Sequence, residues 1–176
     1  VLGVWDAATG KALVDRRDAR GGAAVSPDGR AAFLAQGKTI RILDVASGKV
    51  VGEGTASDAI SGGDFLPGGR RLLTVDPTDG VVAWDTSGTG DPVRLGALQL
   101  DADGNFLAMD EAGRYDATDP SDVPAARYVY AWSGGLEPVD VGQLKSRFYE
   151  PGLWAKLLEL DPSPLRSVPK LDAVRI

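Results

Sequence analysis

The sequence contains neither cysteine nor histidine among its 176 residues. Without cysteine there is no disulfide framework, no thiolate nucleophile and no cysteine-ligated zinc. Without histidine there is no Ser–His or Cys–His couple and no imidazole ligand for a metal. We therefore expect this chain not to be an enzyme, and we assign it no catalytic residue, no metal ligand and no cofactor-binding residue.

Positive charge is also scarce. The chain has 19 lysines and arginines against 25 acidic residues, a net charge of −6, which argues against a surface that follows nucleic-acid phosphates. No apolar run approaches the roughly 18 residues of a membrane span. The hydrophobic fraction of 43% is ordinary for a globular chain. The composition thus predicts a globular chain that binds neither nucleic acid nor a membrane.

The ends of the sequence indicate a piece of something longer. Residue 1 is valine, and the only methionine is Met109. No basic stretch followed by apolar residues opens the chain, although an upstream portion carrying such a signal could have been removed. The compartment stays open on these grounds, and the absence of cysteine favours the cytoplasm.

An internal repeat is the strongest signal in the sequence. Three segments each have an apolar residue and an aspartate ahead of a small-residue turn: 4–11, 42–49 and 83–88. Their aspartates recur at intervals of 38 (44 − 6) and 41 (85 − 44) residues. A second motif, Ser-Pro-Asp-Gly-Arg at 26–30, returns 40 (66 − 26) residues later as Leu-Pro-Gly-Gly-Arg. A period near 40 with a Trp-Asp pair is typical of the blades of a β-propeller.

These motifs resemble those of the WD-repeat β-propeller family, over residues 1–110. The resemblance implies that each Trp-Asp segment is the third of four strands in a blade. The family's Gly-His pair is missing, and Leu43 replaces tryptophan in the middle repeat. We therefore expect the family's Asp-His-Ser-Trp hydrogen-bond network to be absent. Asp6, Asp44 and Asp85 are then structural residues that need other partners.

The predicted fold is mainly β. We expect a partial WD-repeat β-propeller of about two full blades plus partial ones, followed by a hairpin and a short helix pair. Short β-rich stretches between turn residues predict four of the strands, at 31–35, 39–45, 71–75 and 81–84, and alternation places Ile40 and Ile42 on one face of the second. The chain opens on the third strand of a blade, and fuller units follow at about 22–54 and 60–98. Because ring closure needs at least about four blades, we expect the missing blades to come from the same polypeptide or from a second chain.

After about residue 98 the repeat degenerates. We divide the chain into a partial propeller at 1–110, a hairpin and helical collar at 111–162, and a linker with the start of a following domain at 163–176. Aromatic and β-branched residues predict a strand at 127–132. Asp140 is predicted to cap a first helix that extends to Phe148, because apolar residues follow at helical spacing.

Pro151 suits the first turn of a second helix in this tail. The apolar face of that helix would contain Leu153, Trp154, Leu157 and Leu158. The Asp-Pro-Ser-Pro sequence at 161–164 ends it, because a residue before proline avoids the helical region.

The order of motifs in the tail resembles a segment of bacterial WD-repeat proteins that also carry a caspase-like peptidase domain. The matching residues are Asp103-Gly104, Gly113-Arg114-Tyr115-Asp116, Trp132 and the Phe-Tyr-Glu-Pro-Gly-Leu run at 148–153. The resemblance implies that the helix pair joins the propeller to later domains. The cysteine and histidine of such a peptidase lie outside this chain.

Two acidic segments invite a catalytic or metal interpretation. Residues 101–105 could be a calcium loop, but its sixth and twelfth positions are Phe106 and Ala112 instead of glycine and glutamate, so a hairpin turn is the better interpretation. Five aspartates crowd two loops: Asp76, Asp79, Asp116, Asp119 and Asp122. Paired carboxylates can do acid–base work, but solvated acidic loops are far commoner, and no spacing here fixes a pair.

The aromatic residues of the tail are the candidate binding residues. They are Tyr128, Tyr130, Trp132, Phe148, Tyr149 and Trp154. An aromatic cleft or interface hot spot is one interpretation, and core packing of the collar is the other. For a protein-interaction site we name Tyr149, Trp154, Phe148 and Trp132, with Tyr149 and Trp154 foremost.

Two functional hypotheses follow. The first is a non-catalytic protein-interaction and scaffold module, the regulatory or substrate-docking propeller of a bacterial caspase-like protease, with a protein or peptide ligand and the peptidase domain as partners. The second is a small-molecule or cofactor-binding propeller, as in quinone-dependent or secreted enzymes. The absence of histidine and cysteine weakens the second, although carboxylates alone could hold a hard cation.

Overall fold

A computed structural model describes residues 2–16, 22–123, 127–132 and 135–168. The chain divides into two compact units, Val1–Leu95 and Gly96–Ile176. The strands that lie in the first unit are β1 (Leu2–Trp5), β2 (Ala12–Arg16), β3 (Ala23–Val25), β4 (Ala31–Gln36), β5 (Thr39–Asp44), β6 (Val50–Thr55), β7 (Gly62–Phe65), β8 (Arg71–Asp76) and β9 (Gly80–Asp85). Strand β10 (Val93–Leu100) begins in the first unit and ends in the second.

The first unit is built from antiparallel four-stranded blades. One blade has the strand order β3-β4-β5-β6, and the next begins with β7, β8, β9 and β10 in that order. The four strands predicted from β-rich stretches between turns are confirmed as β4, β5, β8 and β9. Tight turns join them: Gly29 and Gly69, in the two copies of the Pro-containing motif, have φ values of 72° and 67°, which glycine adopts without steric cost.

Strands β1 and β2 form the second half of a further blade. In β1–β2 the register shifts between Val4 and Trp5. In β5–β6 it shifts between Ile42 and Leu43, 38 (42 − 4) residues later. The turns match as well, because Gly10 donates its N–H to the Asp6 carbonyl at 2.8 Å and Gly48 does the same to Asp44 at 2.8 Å. Hairpin β1–β2 is therefore the same structural unit as β5–β6.

The first full blade packs against its two neighbours through its two opposite faces. On one face of β4–β5, the buried residues Ala32, Leu34, Leu43 and Val45 pack with Val4 and Leu13 of the first hairpin. The alternate residue Phe33 points to the other face, where its ring approaches Gly63 of the next blade. The expected fold is thus confirmed: the chain is mainly β and forms two full blades and partial ones, followed in sequence by a hairpin and a short helix pair.

The second unit combines strands with short helical segments. Its elements after β10 are β11 (Phe106–Asp110), β12 (Tyr115–Ala117), β13 (Arg127–Trp132), β14 (Gly135–Asp140), a 3-10 turn (Val141–Leu144), α1 (Lys145–Phe148) and α2 (Leu153–Leu157). Strands β10, β11 and β12 pair antiparallel, as do β13 and β14. The strand predicted at 127–132 is confirmed as β13. Of the helices in the described ranges, none has the length and apolarity needed to cross a bilayer.

The helical region differs from the prediction in two respects. The segment after Asp140 is a 3-10 turn followed by the single turn of α1, not one continuous helix. Asp140 is the last residue of β14, and its side chain forms no capping hydrogen bond. Residues 169–176, where a following strand was expected, lie outside the described residues. Spacing alone indicated an apolar face, and burial of Val141 and Phe148 satisfies it without a regular helix.

The close approach of the blades yields a test of the fold. A Cβ at Gly63 would lie 2.7 Å from the carbonyl oxygen of Leu73 and 2.9 Å from Cε1 of Phe33. We expect Gly63→Ala to lower the free energy of unfolding by about 1–3 kcal/mol, because overpacking forces its neighbours apart. Urea denaturation measures the change. Gly62→Ala is the matched control, since its Cβ would meet nothing within 4 Å. Equal stabilities of the two variants would contradict the tight blade contact.

Candidate interaction surface

The aspartates of the repeat accept hydrogen bonds from the turns that follow them. One carboxylate oxygen of Asp6 accepts the backbone N–H groups of Ala8 and Thr9 at 3.0 and 2.7 Å, and the Thr9 hydroxyl at 2.8 Å. Asp44 accepts the Ser47 N–H at 2.8 Å and also the Ser47 hydroxyl. These bonds hold the pKa of both carboxyls below the ordinary value, chiefly through the hydroxyls of Thr9 and Ser47.

Asp85 repeats the arrangement and adds an ion pair. It accepts the N–H and the hydroxyl of Ser87 at 2.8 and 2.6 Å, and the guanidinium of Arg71 lies 2.9 Å away. Burial raises the pKa of Asp85, but the Ser87 bonds and the nearby charge of Arg71 outweigh it, so the net shift is downward. The missing histidine is therefore replaced by partners within each turn, which supports the structural role expected for these residues.

Part of the polar network expected to be absent is present. In the second full blade, the indole Nε1–H of Trp84 donates to the Thr74 hydroxyl at 2.9 Å, and both side chains are buried. The four-residue network that includes histidine is not formed, but its tryptophan–hydroxyl bond is retained. A tryptophan and a hydroxyl on neighbouring strands satisfy each other without it.

In the first acidic loop, Asp76 and Asp79 each have hydrogen-bond partners of their own. One oxygen of Asp76 accepts the N–H groups of Thr78 and Asp79 at 2.9 and 2.8 Å, while its buried Oδ2 has no hydrogen-bond partner. Asp79 accepts the Ser57 hydroxyl at 2.5 Å and pairs with Arg94 at 2.9 Å. Among the described residues, no three metal-ligating side chains converge on a point that could hold an ion.

The acidic residues after β9 stabilise turns or connect two elements of the second unit. Asp101 accepts the N–H groups of Asp103 and Asn105 at 2.9 and 2.8 Å in the β10–β11 hairpin, which confirms the turn interpretation over the calcium loop. Asp116 accepts the Gly152 N–H at 2.8 Å and so ties β12 to the turn before α2. Asp119 accepts the Ser121 N–H at 2.9 Å. Asp101 and Asp119 thus stabilise their own turns, and Asp116 connects two elements of the second unit.

Aromatic residues of the tail pack around Tyr115. Its side chain is fully buried, and its hydroxyl donates to the Pro120 carbonyl at 2.7 Å. Burial, and secondarily the Tyr149 hydroxyl, raise the pKa of Tyr115. The Tyr149 ring lies 5.7 Å from the Tyr115 ring, and the Lys145 ammonium sits 5.5 Å from the centroid of the Tyr149 ring. Phe148 belongs to the same core cluster and is only 1% exposed.

The four residues named for a protein-interaction site thus occupy different environments. Phe148 is buried, which favours the core-packing interpretation for that side chain. Tyr149 and Trp154 are half-buried in the collar. Trp132 ends β13 opposite Gly135, and its side chain lies outside the described residues. Their role in binding stays a prediction.

A buried carboxylate holds the end of the described chain against the collar. Glu150 is 4% exposed, and its two oxygens are divided between two partners. One forms an ion pair with the Lys156 ammonium, and the other accepts the Arg166 N–H at 3.1 Å. Arg114 reinforces the contact by donating to the Arg166 carbonyl at 2.9 Å. We call Glu150, Lys156 and Arg166 the collar latch.

The sequence interpretation missed an exposed tryptophan on the first hairpin. Trp5 is 59% exposed, whereas its counterparts Leu43 and Trp84 are 0% and 2% exposed. The Trp5 ring lies over its own strand at Gly3. Its face of the hairpin is opposite to the one from which Val4 packs on the first full blade. The signal was available in the repeat, because Trp5 occupies a core position of a blade that lacks its first two strands in the described residues.

No family model matches the sequence. No curated protein matches it either. Among solved structures, the chain is similar to the β-propeller domain of Cps50 (Swd1) from Myceliophteria thermophila, with 20% identity, a TM-score of 0.41, and coverage of 66% of this chain and 44% of that one. It is also similar to hydrazine synthase from Kuenenia stuttgartiensis, with 16% identity, a TM-score of 0.45, and coverage of 73% and 45%. The chain spans less than half the length of either protein.

The collar latch predicts a pH-dependent stability. Burial raises the pKa of Glu150, but its bonds to Lys156 and to the Arg166 N–H lower it overall below its usual 4.5. The latch therefore stabilises the fold above pH 4.5 and loses its effect as the pH falls through the lowered value. We expect Glu150→Gln to cost on the order of 3 kcal/mol at pH 7. The difference in the free energy of unfolding between the variant and the unmodified chain should become smaller below pH 4.5.

Denaturation of both proteins across pH 3 to 7 checks this prediction. Glu53→Gln is the matched control, because the Arg41–Glu53 pair is exposed and should contribute less than about 1 kcal/mol. A Glu150→Gln variant whose stability parallels the unmodified chain at every pH would show that the latch is not charged or not closed.

Proposed function

We propose that this chain is a non-catalytic protein-interaction and scaffold module, an arc of a β-propeller that is completed by blades from the same polypeptide or from a second chain. The observation that carries the proposal is the uncovered Trp5 face of the first hairpin, since the corresponding faces of the two full blades are buried. A tryptophan that is exposed where its counterparts in both full blades are buried indicates a contact surface, because tryptophans contribute much of the binding energy at protein interfaces.

The chemistry of the carboxylates supports a scaffold. Asp6, Asp44 and Asp85 each accept hydrogen bonds within their own turns, with their pKa values lowered. Carboxyls held in that state are poor general bases, because a base must take a proton near neutral pH. Their role in the proposal is to hold the loops of the blades in fixed positions.

We further propose that the chain is the regulatory or substrate-docking propeller of a bacterial caspase-like peptidase, whose catalytic domain lies elsewhere. The resemblance of the tail motifs supports this, and residues of the 148–153 motif have definite structural roles: Phe148 in the core, Glu150 in the collar latch, and Gly152 at a φ of 71° bonded to Asp116. A latch that fixes the chain near Arg166 suits a segment joining a propeller to a further domain. A protein or peptide ligand would bind the propeller or the half-buried Tyr149 and Trp154.

Measurements on the native protein test both the scaffold role and the association with a peptidase. Intact-mass analysis and peptide mapping should find these residues in a polypeptide, or bound to one, that contains cysteine and histidine. Deleting residues 2–92, the part of the first unit before β10, from the parent should reduce cleavage of a protein substrate at least about tenfold while leaving cleavage of a short peptide unchanged, since docking lowers only the cost of bringing a large substrate to the site.

Two results would count against it. A native particle without any cysteine- and histidine-containing segment would refute the peptidase association. Equal losses on the protein and the short peptide would refute docking, because a general loss indicates a damaged catalytic domain. The short peptide serves as the internal control in both measurements.

A further inference from the structure

The turn after the third repeat aspartate is longer than the two before it. Each of these aspartates is followed by a turn and then by the outer strand of its blade. The strand begins 6 positions after Asp6 (12 − 6) and 6 positions after Asp44 (50 − 44), but 8 positions after Asp85 (93 − 85). The two additional residues are not needed to join the strands, because the shorter turns do so without them.

The longer turn passes over β6, the outer strand of the preceding blade. A Cβ at Gly52 would lie 2.2 Å from the Gly90 carbonyl oxygen, and a Cβ at Gly54 would lie 3.0 Å from Cγ of Pro92. Residues 87–91 are exposed, whereas Pro92 is buried. We call residues 90–92 the strap. The two glycines of β6 give the strap the space to approach the strand closely.

A side chain of the strap occupies the edge of β6. This strand is the last of its sheet in the described part of the chain, so alternate residues direct their N–H groups away from β5. Glu53 is one of them: it lies opposite Arg41, and its N–H donates to Oδ1 of Asp91 at 2.9 Å. The Asp91 carboxylate therefore takes the place that a carbonyl of an added strand would take.

The composition of β6 favours pairing with another strand. Val50 and Val51 are 38% and 48% exposed, and β-branched residues on an edge strand promote the addition of a further strand. A charge on the edge would oppose this, but the Glu53 carboxylate is held by Arg41 at 2.6 Å across the sheet. Protection of this edge thus depends mainly on the strap.

We propose that the strap guards the edge of β6 against pairing with the same strand of a second copy of this chain. Asp91 engages a donor in the middle of the edge, and Pro92 has no N–H to offer to an incoming strand. Covering an edge with a loop is one of the ways in which natural β-proteins avoid edge-to-edge association. The proposal is independent of the scaffold role, because the contact lies entirely within the first unit.

Amide hydrogen exchange of the full chain, followed by NMR, tests the contact. Asp91→Ala should speed exchange of the Glu53 amide at least about tenfold, because a charge-assisted hydrogen bond is lost. Asp91→Asn should keep most of the protection, since its amide oxygen still accepts. Gly52→Ala should act like Asp91→Ala by displacing the strap. Gly90→Ala is its control, since that Cβ would meet nothing within 4 Å.

Sedimentation velocity of the same variants tests the guarding role, with slow exchange in β4 as evidence that the blade stays folded. Asp91→Ala and Gly52→Ala should self-associate at least about tenfold more tightly than the unmodified chain. The Glu53 amide should regain protection as the concentration of these variants rises. Adding Val51→Lys to Asp91→Ala should remove the extra association, because an edge lysine opposes pairing, and should leave Glu53 unprotected.

Three results would overturn the proposal. Unchanged exchange of the Glu53 amide in Asp91→Ala would show that the strap does not hold the edge. Faster exchange without tighter self-association would show that the edge needs no guard. Extra association that Val51→Lys leaves in place would assign it to a different surface. Association through Trp5 is common to all the variants, so comparison with the unmodified chain removes it.

Discussion

The structure of the first unit depends on one constraint: a blade has two apolar faces, and each must be covered by a different neighbour. Strand β4 shows this directly, because Leu34 packs toward the first hairpin while Phe33 packs toward Gly63 of the next blade. Side-chain alternation along a strand makes the two faces inseparable. In the described part of the chain, Trp5 lies on a blade face that is 59% exposed at this side chain, whereas its counterparts Leu43 and Trp84 are covered.

The same constraint explains why the polar network of the blades varies. Trp84 and Thr74 fill the interface with a hydrogen-bonded pair, and Leu43 and Leu34 fill it with an apolar one. A net hydrogen bond contributes about 1 kcal/mol and burial of a leucine side chain about 2 kcal/mol, so the two solutions are comparable. The blades form without histidine because the repeat aspartates accept hydrogen bonds from their own turns. Geometry, more than any particular network, defines the blade.

The sequence predicted the local features of the fold well. Strands β4, β5, β8 and β9 were predictable because alternation and turn residues act over a few positions. The helical region was less accessible: burial of Phe148 in a cluster with Tyr115 decides that segment, and apolar spacing cannot distinguish a 3-10 turn from a helix. The collar latch could not be predicted, because it depends on a side-chain contact from Glu150 to the backbone of Arg166 that no local pattern indicates.

The collar latch shows how an irregular segment can be held rigidly. Between α2 and Arg166 the chain forms no helix or strand, so its position depends on a few side-chain contacts. A buried carboxylate is costly to leave unpaired, and Glu150 avoids that cost only while Lys156 and the Arg166 backbone are both in place. The free-energy cost of breaking the collar latch therefore arises mainly at Glu150. A segment anchored in this way leaves the collar in a fixed direction, which is what a scaffold needs if it is to position whatever it joins.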